Sequence, residues 1–271
     1  VKRSSRVPPP RASIPERDHH VSLVCIERAG AVRTVMLARP EKRNAINPEM
    51  MAALREAFEA EPVAEERVTV LRSEGPVFCS GLQLSTSGVD PAEAVNIEGM
   101  FTAVQQYPLP VVAIVQGAAI AGGCELALHC DFIVAVETAR FAMPLAQLGV
   151  ATTWFLTKKI METAGPFVAR EFLLLGEPLT AARLHDFGAV ARVAEKDGLE
   201  DAADALIGRL SANAPLAMRS MKATMNRQAA FLFDLDRGDT DTMVQAVYAS
   251  TDAVEGVAAK VEKRIPTFKG K

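Results

Sequence analysis

The stretch VVAIVQGAAIAGGCELALHC, Val111–Cys130, decides how this chain is read. It opens on Val111–Gln116, a short apolar run rich in β-branched side chains, which predicts a buried strand. The small residues of Gly117–Gly123 predict a turn, and Cys124–Cys130 predicts a helix. The first N–H groups of such a helix have no partner within it, and its aligned peptide dipoles place about +0.5 charge there. Gly122 and Gly123 carry no side chain to hold a ligand oxygen away from those groups. Backbone alone builds an oxyanion hole in this way. Glu125 follows three residues after Gly122, on about the same side of the helix and one turn in. A carboxylate there can act as a general base. It can equally do no more than complement the helix dipole, and the stretch by itself leaves both readings open.

Working outward, Val21–Glu27 and Val32–Ala38 predict two strands around Arg28-Ala29-Gly30. Asn47 is a good N-cap and Pro48 suits the first helical position, so Pro48–Ala60, with Met50, Met51, Leu54 and Phe58 at helical spacing, predicts an amphipathic helix. The strand Val68–Arg72 leads into GPVFCSGLQL, Gly75–Leu84, where Ser80 and Gly81 let the backbone approach a ligand and the Leu82 N–H can be a second donor. Pro91–Gln106 reads as a helix and Phe132–Val136 as a strand. Thr180 caps a short helix ending at Gly188, and Ala189–Val193 is the last strand. From Thr152 onward the chain is mostly helical, with helices at Ala202–Leu210, Pro215–Phe231 and Thr251–Lys263. One α/β core with a helical C-terminal third follows.

Composition narrows the function classes. Of 271 residues, 49% are hydrophobic and 23% charged, which excludes wholesale disorder. With 30 basic and 33 acidic side chains the net charge is -3, so no whole-chain basic field draws the protein to nucleic acid or to an anionic membrane. The longest apolar run, Leu109–Cys124, is too short and too broken to span a bilayer. The first twenty residues hold Arg3, Arg6, Arg11 and Pro8–Pro10 and no apolar signal core, which predicts a flexible tail over residues 1–20. Cys25, Cys79, Cys124 and Cys130 form no CxxC pair and are expected to be buried, reduced thiols in a cytoplasmic protein. No metal cluster is expected, and Glu125 with His129 lacks the order of an HExxH site.

Five phrases in order, RPEKRNAIN, GPVFCSGLQL, VQGAAIAGGCELALHCDFIVA, ARFAMPLAQLGV and EGVAAKVEKRIPTFKG, resemble the enoyl-CoA hydratase/isomerase (crotonase) superfamily. The resemblance runs from about Val21 to Lys271. It implies an α/β fold, with a crotonase-like spiral of ββα units over residues 21–200 and a helical oligomerisation region over 201–271. It implies an acyl-CoA substrate whose thioester enolate is held by the Leu82 and Gly122 N–H groups, with Glu125 as general acid/base. It also implies substrate and CoA contacts from Arg43, Ala45, Ile46, Ser80, Gly81, Gln83, Leu145 and Phe268. CoA enters as part of the substrate, with no separate cofactor and no metal, and the assembly is a homotrimer or a dimer of trimers.

The sequence also departs from that pattern. Leu145 stands where family hydratases carry a second glutamate, Gln83 replaces a common acidic residue, and Trp154 and Phe155 stand where small glycines are usual. One positioned acid or base is worth about 10²–10⁴-fold in rate. A hydratase-like lyase is therefore the first expectation. An isomerase or a CoA-thioester or ring hydrolase is the alternative within catalysis, and a non-catalytic acyl-CoA-binding protein the alternative outside it. His129 is expected to be a core residue or to support Glu125. Asp131 is expected to satisfy backbone or pair with a basic residue, and the Met218–Met221–Met225 stripe to pack in the core or at an interface.

Overall fold

The structure is a computed structural model that describes residues 22–84, 91–230 and 237–271, with the backbone alone over 91–96. The expected tail, with Val21 and Phe231, lies outside the described residues.

The chain opens with a hairpin, β1 (Val24–Ala29) against β2 (Val32–Leu37), turning at Gly30 in left-handed conformation. Asn47 then caps α1 (Pro48–Glu59), its side chain accepting from the Met50 N–H at 2.9 Å. The face holding Met50, Met51, Leu54, Ala57 and Phe58 is buried, as its spacing demands. β3 (Val68–Ser73) returns parallel to β2, and α2 (Pro91–Gln106) leads to β4 (Val111–Val115). Next come β5 (Ala119–Ile120), α3 (Gly122–Leu128), β6 (Phe132–Val136), β7 (Arg140–Ala142) and α4 (Trp154–Arg170), the last kinked at Gly165 before Pro166. β8 (Leu179–Thr180), α5 (Ala181–Asp186) and β9 (Arg192–Ala194) complete the strands. Four helices follow: α6 (Leu199–Ser211), α7 (Pro215–Ala229), α8 (Gly238–Tyr248) and α9 (Thr251–Glu262).

Successive ββα turns feed two sheets. In β4–β5–α3 and again in β6–β7–α4, the first strand joins a six-stranded sheet ordered β1-β2-β3-β4-β6-β9, and the second joins a three-stranded sheet ordered β5-β7-β8. The large sheet is parallel beyond its opening hairpin. Its central strands are buried on both faces, as parallel strands covered by helices must be. Val68, Val70, Val112, Ile114 and Val134 face Leu199, Ala203, Ile207 and Leu210 of α6, while Leu71, Val111, Ala113 and Val115 face the main core with α1, α2 and α3. Asp131 accepts from the Val111 N–H at 2.7 Å and pairs with the buried Lys222 Nζ at 2.5 Å, which ties α7 to the core. Among the described residues, no helix is long and apolar enough to cross a membrane.

The structure corrects several sequence boundaries. Gly117–Gly123 is not a plain turn: Ala119 and Ile120 pair with Phe141 and Ala142, and the helix begins at Gly122 rather than Cys124. The last strand is Arg192–Ala194, the part that pairs with Val134–Val136; the Ala189 and Val190 N–H groups are used instead to close α5 on Leu184 O. Helix α8 was not expected. It buries no residue fully, so its sequence carries no strong apolar stripe. Cys79, Cys124 and Cys130 are buried free thiols, but Cys25 is half-exposed on the hairpin.

Candidate active site

A cavity of about 370 Å³ opens at the N-terminus of α3. Its floor is built by two backbone segments in direct contact. Ile120 N donates to Cys79 O at 2.9 Å, and Cys79 N to Ala118 O at 3.2 Å. A Cβ on Gly123 would stand 2.2 Å from Cys79 O, so only glycine lets the helix start this close to the loop. Gly81, at φ +92, is the loop's own left-handed residue. Ala121, with φ 48 and ψ -118, precedes the helix in a conformation that costs an alanine on the order of 1–3 kcal/mol. Its N–H is held by Ala142 O at 2.7 Å.

This backbone brings the Leu82 and Gly122 segments close together. Ile46 N donates to Gly81 O and Gln83 N to Ile46 O, both at 2.8 Å. Bonds of that kind leave the intervening Leu82 N–H pointing the other way, toward α3. Gly122 is the first residue of α3, so its N–H has no intrahelical acceptor. The place a Gly122 Cβ would take is 3.5 Å from Leu82 N. Leu82 N thus lies close to the start of α3, and Leu82 and Gly122 both line the cavity.

Glu125 lines the same cavity and is fully buried. Among the described residues neither carboxyl oxygen has a hydrogen-bond partner. Burial pushes this carboxyl well above the usual carboxylate range, and the positive charge of Lys159 only partly opposes it. His129, one turn later, is clamped between Phe101 and Phe155, with ring centroids at 4.9 and 5.2 Å and planes within 12° and 11°. Its Nδ1 lies 2.7 Å from Glu125 O and 3.6 Å from the Glu125 carboxyl. The first distance makes a hydrogen bond to the backbone and the second is too long for one. Burial, then Lys159, holds His129 well below its ordinary pKa, so it is a neutral imidazole that supports the helix at Glu125.

Of the residues singled out from the sequence, Glu125, Leu82, Gly122, Ser80 and Leu145 line this one cavity. Gly81 lies against it through Ala121 and Gly122. Arg43, Ala45, Ile46 and Gln83 do not line it: Ile46 is a core side chain, and Arg43 and Gln83 are exposed. Arg43 O accepts from Ser80 N at 3.1 Å, so that segment supports the loop through its backbone. Phe268 lines a neighbouring cavity and packs against Gly149 of its own chain.

Four contributors escaped the sequence. Asn44, left-handed and fully buried, accepts from Arg39 N and donates to Glu74 O and Val77 O, pinning the phrase RPEKRNAIN to the loop. Phe101 from α2 and Tyr248 from α8 reach the cavity from distant elements, and Lys159 faces Glu125 from α4. Only Asn44 carried a local signal, since asparagine tolerates φ above zero. Glu98 is half-buried behind the cavity wall, hydrogen-bonded to Thr153 and pushed up by burial. Among the described residues no cluster of three or more His, Cys, Asp or Glu is placed to hold a metal ion.

Residues 27–271 match the family model for enoyl-CoA hydratase/isomerase. The chain is 31% identical over 252 residues to a Mycobacterium leprae (strain TN) protein named probable enoyl-CoA hydratase echA6, across 92% of this chain and 100% of that one. It is 29% identical over 255 residues to 2,3-dehydroadipyl-CoA hydratase of Escherichia coli (strain K12), across 93% and 100%. Its fold is similar to that of methylmalonyl-CoA decarboxylase solved in complex with 2-nitronate-propionyl-CoA, at a TM-score of 0.84 and 27% identity, across 92% and 99%.

Proposed function

The chain belongs to the enoyl-CoA hydratase/isomerase family, and from that premise we propose that this acyl-CoA-processing enzyme uses Glu125 as its one acid/base beside an oxyanion hole made by the Leu82 and Gly122 N–H groups. The observation that carries the reading is that Leu82, Gly122 and the buried Glu125 all line one cavity. The thioester oxygen binds between the donors, which favour the enolate over the neutral thioester because charge develops there.

In hydration, the Glu125 carboxylate takes a proton from water as the water oxygen bonds to Cβ, and the resulting carboxylic acid returns that proton to Cα as the enolate collapses. One group does both tasks because Leu145 can neither hold water nor transfer a proton. Burial raises this carboxyl well above the usual carboxylate range, which suits it to give a proton as well as to take one. Isomerisation is the second reading, and the apolar Leu145 wall favours it: Glu125 moves one proton between carbons and no water is needed. The reaction needs no cofactor beyond the CoA of its substrate. Exposed Arg43 and Gln83, with Ala45 and Ile46 behind them, border the path of the CoA moiety. The enzyme is a homotrimer or dimer of trimers, and its buried free thiols suit the reducing cytoplasm.

The test is a panel of enoyl-CoA thioesters given to wild type and Glu125→Gln, with products weighed by mass spectrometry. Hydration adds one water, isomerisation leaves the mass unchanged, and hydrolysis releases CoA. Glu125→Gln is expected to lose at least about 10²-fold in kcat. Equal turnover by both proteins overturns the role of Glu125. Tight binding with no conversion of any thioester identifies a non-catalytic acyl-CoA-binding protein.

A further inference from the structure

A second, wider cavity of about 710 Å³ backs onto the first. The two share Leu145 and Val150. Between these residues the wall is one chain thick: Gln147 and Leu148 face the Glu125 cavity, while Ala146 and Gly149 face the outer one. The backbone of this partition is clamped. Leu148 N and Val150 N both donate to Leu145 O, Gln147 Nε2 donates to Leu175 O at 2.9 Å, and Gly149 is pressed against Asp252 O and Phe268. The half-buried Leu145 side chain stands in this wall and lines both cavities.

Both sides of that side chain are apolar. Met143, Leu148 and Leu156 line the inner cavity near it, and Leu173, Val247 and Phe268 line the outer one. The Asp252 carboxylate at the outer rim is already occupied by the Lys269 and Gly270 N–H groups, both at 2.7 Å. We infer that the outer cavity continues the acyl site, that the far methylenes of the substrate pass Leu145 to lie against Leu173, Val247 and Phe268, and that Leu145 determines specificity for long, unbranched, apolar acyl groups. A carboxylate in this passage would have to be desolvated by every passing chain; leucine removes that cost. The inference rests on the acyl-CoA reading above and names the substrate class for the same site.

The experiment is calorimetric titration with butanoyl-, octanoyl-, dodecanoyl- and hexadecanoyl-CoA, each below its micelle threshold. Each buried methylene is expected to tighten binding by about fourfold, so dodecanoyl-CoA binds far more tightly than butanoyl-CoA. Ala246 is exposed and lines the outer cavity alone. Ala246→Glu places a carboxylate beside the proposed chain path, and the ratio of dodecanoyl to butanoyl affinity is expected to fall at least tenfold. A melting curve checks that the variant is folded. Equal affinities across the wild-type series overturn the inference and leave the acyl-CoA reading standing, as does an Ala246→Glu ratio that matches wild type. Failure of every thioester to bind, butanoyl-CoA included, overturns both.

Discussion

Glu125 is fully buried with no hydrogen bond to either oxygen among the described residues, so its charged form is costly in the folded chain. That cost has a definite sign with pH. The folded pKa is raised, so from the ordinary carboxylate value of 4.5 upward the unfolded chain loses this proton while the native chain keeps it. The native state then binds more protons, and stability falls as pH rises through that window, levelling off above the folded pKa. Glutamine has the same shape and no proton to lose. Glu125→Gln is therefore expected to melt higher than wild type at pH 8, with the difference closing as pH is lowered toward 4.5. Melting curves of both proteins across pH 4–8 measure this, and a gap that stays constant or widens toward acid would contradict it. The same substitution is expected to lower kcat by at least about 10²-fold, so one side chain carries opposite signs for stability and activity. His129 has the opposite dependence: its depressed pKa makes the fold lose stability as pH falls below its ordinary 6.5. Glu125 was legible in the sequence because its distance from Gly122 puts it one turn into the helix. Its protonation state was not, because that follows from Phe101, Phe155 and Lys159, which arrive from other elements.

At the scale of the element, the start of α3 separates two jobs that adjacent glycines perform. A Cβ on Gly123 would stand 2.2 Å from Cys79 O, a backbone atom that cannot give way without moving the loop. A Cβ on Gly122 would meet Ile97, Leu82 N and Gly81 at 3.4–3.6 Å, which is ordinary contact, but it would stand beside the Leu82 N–H that the proposed mechanism uses. Gly122→Ala is thus expected to melt within a few degrees of wild type and to lose about 10²–10³-fold in kcat. Gly123→Ala is expected to lose both stability and rate. Circular dichroism melting with kcat for the two variants separates the jobs; a Gly122→Ala enzyme with full turnover would show that the substrate oxygen does not need the space the Cβ fills. The strand–glycine–helix order of Val111–Leu128 was readable because each part has a strong local signature. The two-residue strand Ala119–Ile120 was not, since it exists only through pairing with Phe141 and Ala142 and with Cys79. Helix α8 escaped for a related reason: its contacts are made at half-buried positions such as Tyr248, whose hydroxyl donates to Ala151 O at 2.9 Å.

At the scale of the whole molecule, the large sheet is covered on both faces, yet the helices beyond it still present apolar side chains outward. The methionine stripe of α7 divides: Met218 packs against the sheet face with α6, whereas Met221 and Met225 are 64% and 62% exposed. Sequence spacing placed these three together but could not say which pointed inward, because that is decided by Lys222, whose buried Nζ anchors α7 on Asp131 and Leu109 O. The C-terminal segment lies against its own chain, with the Thr251 hydroxyl donating to Lys271 O at 2.7 Å and Phe268 seated over Gly149. Exposed methionines one helical turn apart fit a surface that a second copy covers, since apolar patches left in water mark interfaces. Light scattering is expected to give three or six times the 29.1 kDa chain mass; a single-chain mass at micromolar concentration would refute this. The double variant Met221→Glu, Met225→Glu puts two carboxylates on the patch without touching the Lys222 anchor. It is expected to scatter at a lower mass than wild type while keeping the far-ultraviolet spectrum of a folded chain. If its mass is unchanged, α7 lies outside the interface, and the assembly must be held by other exposed apolar residues such as Phe167 and Leu174.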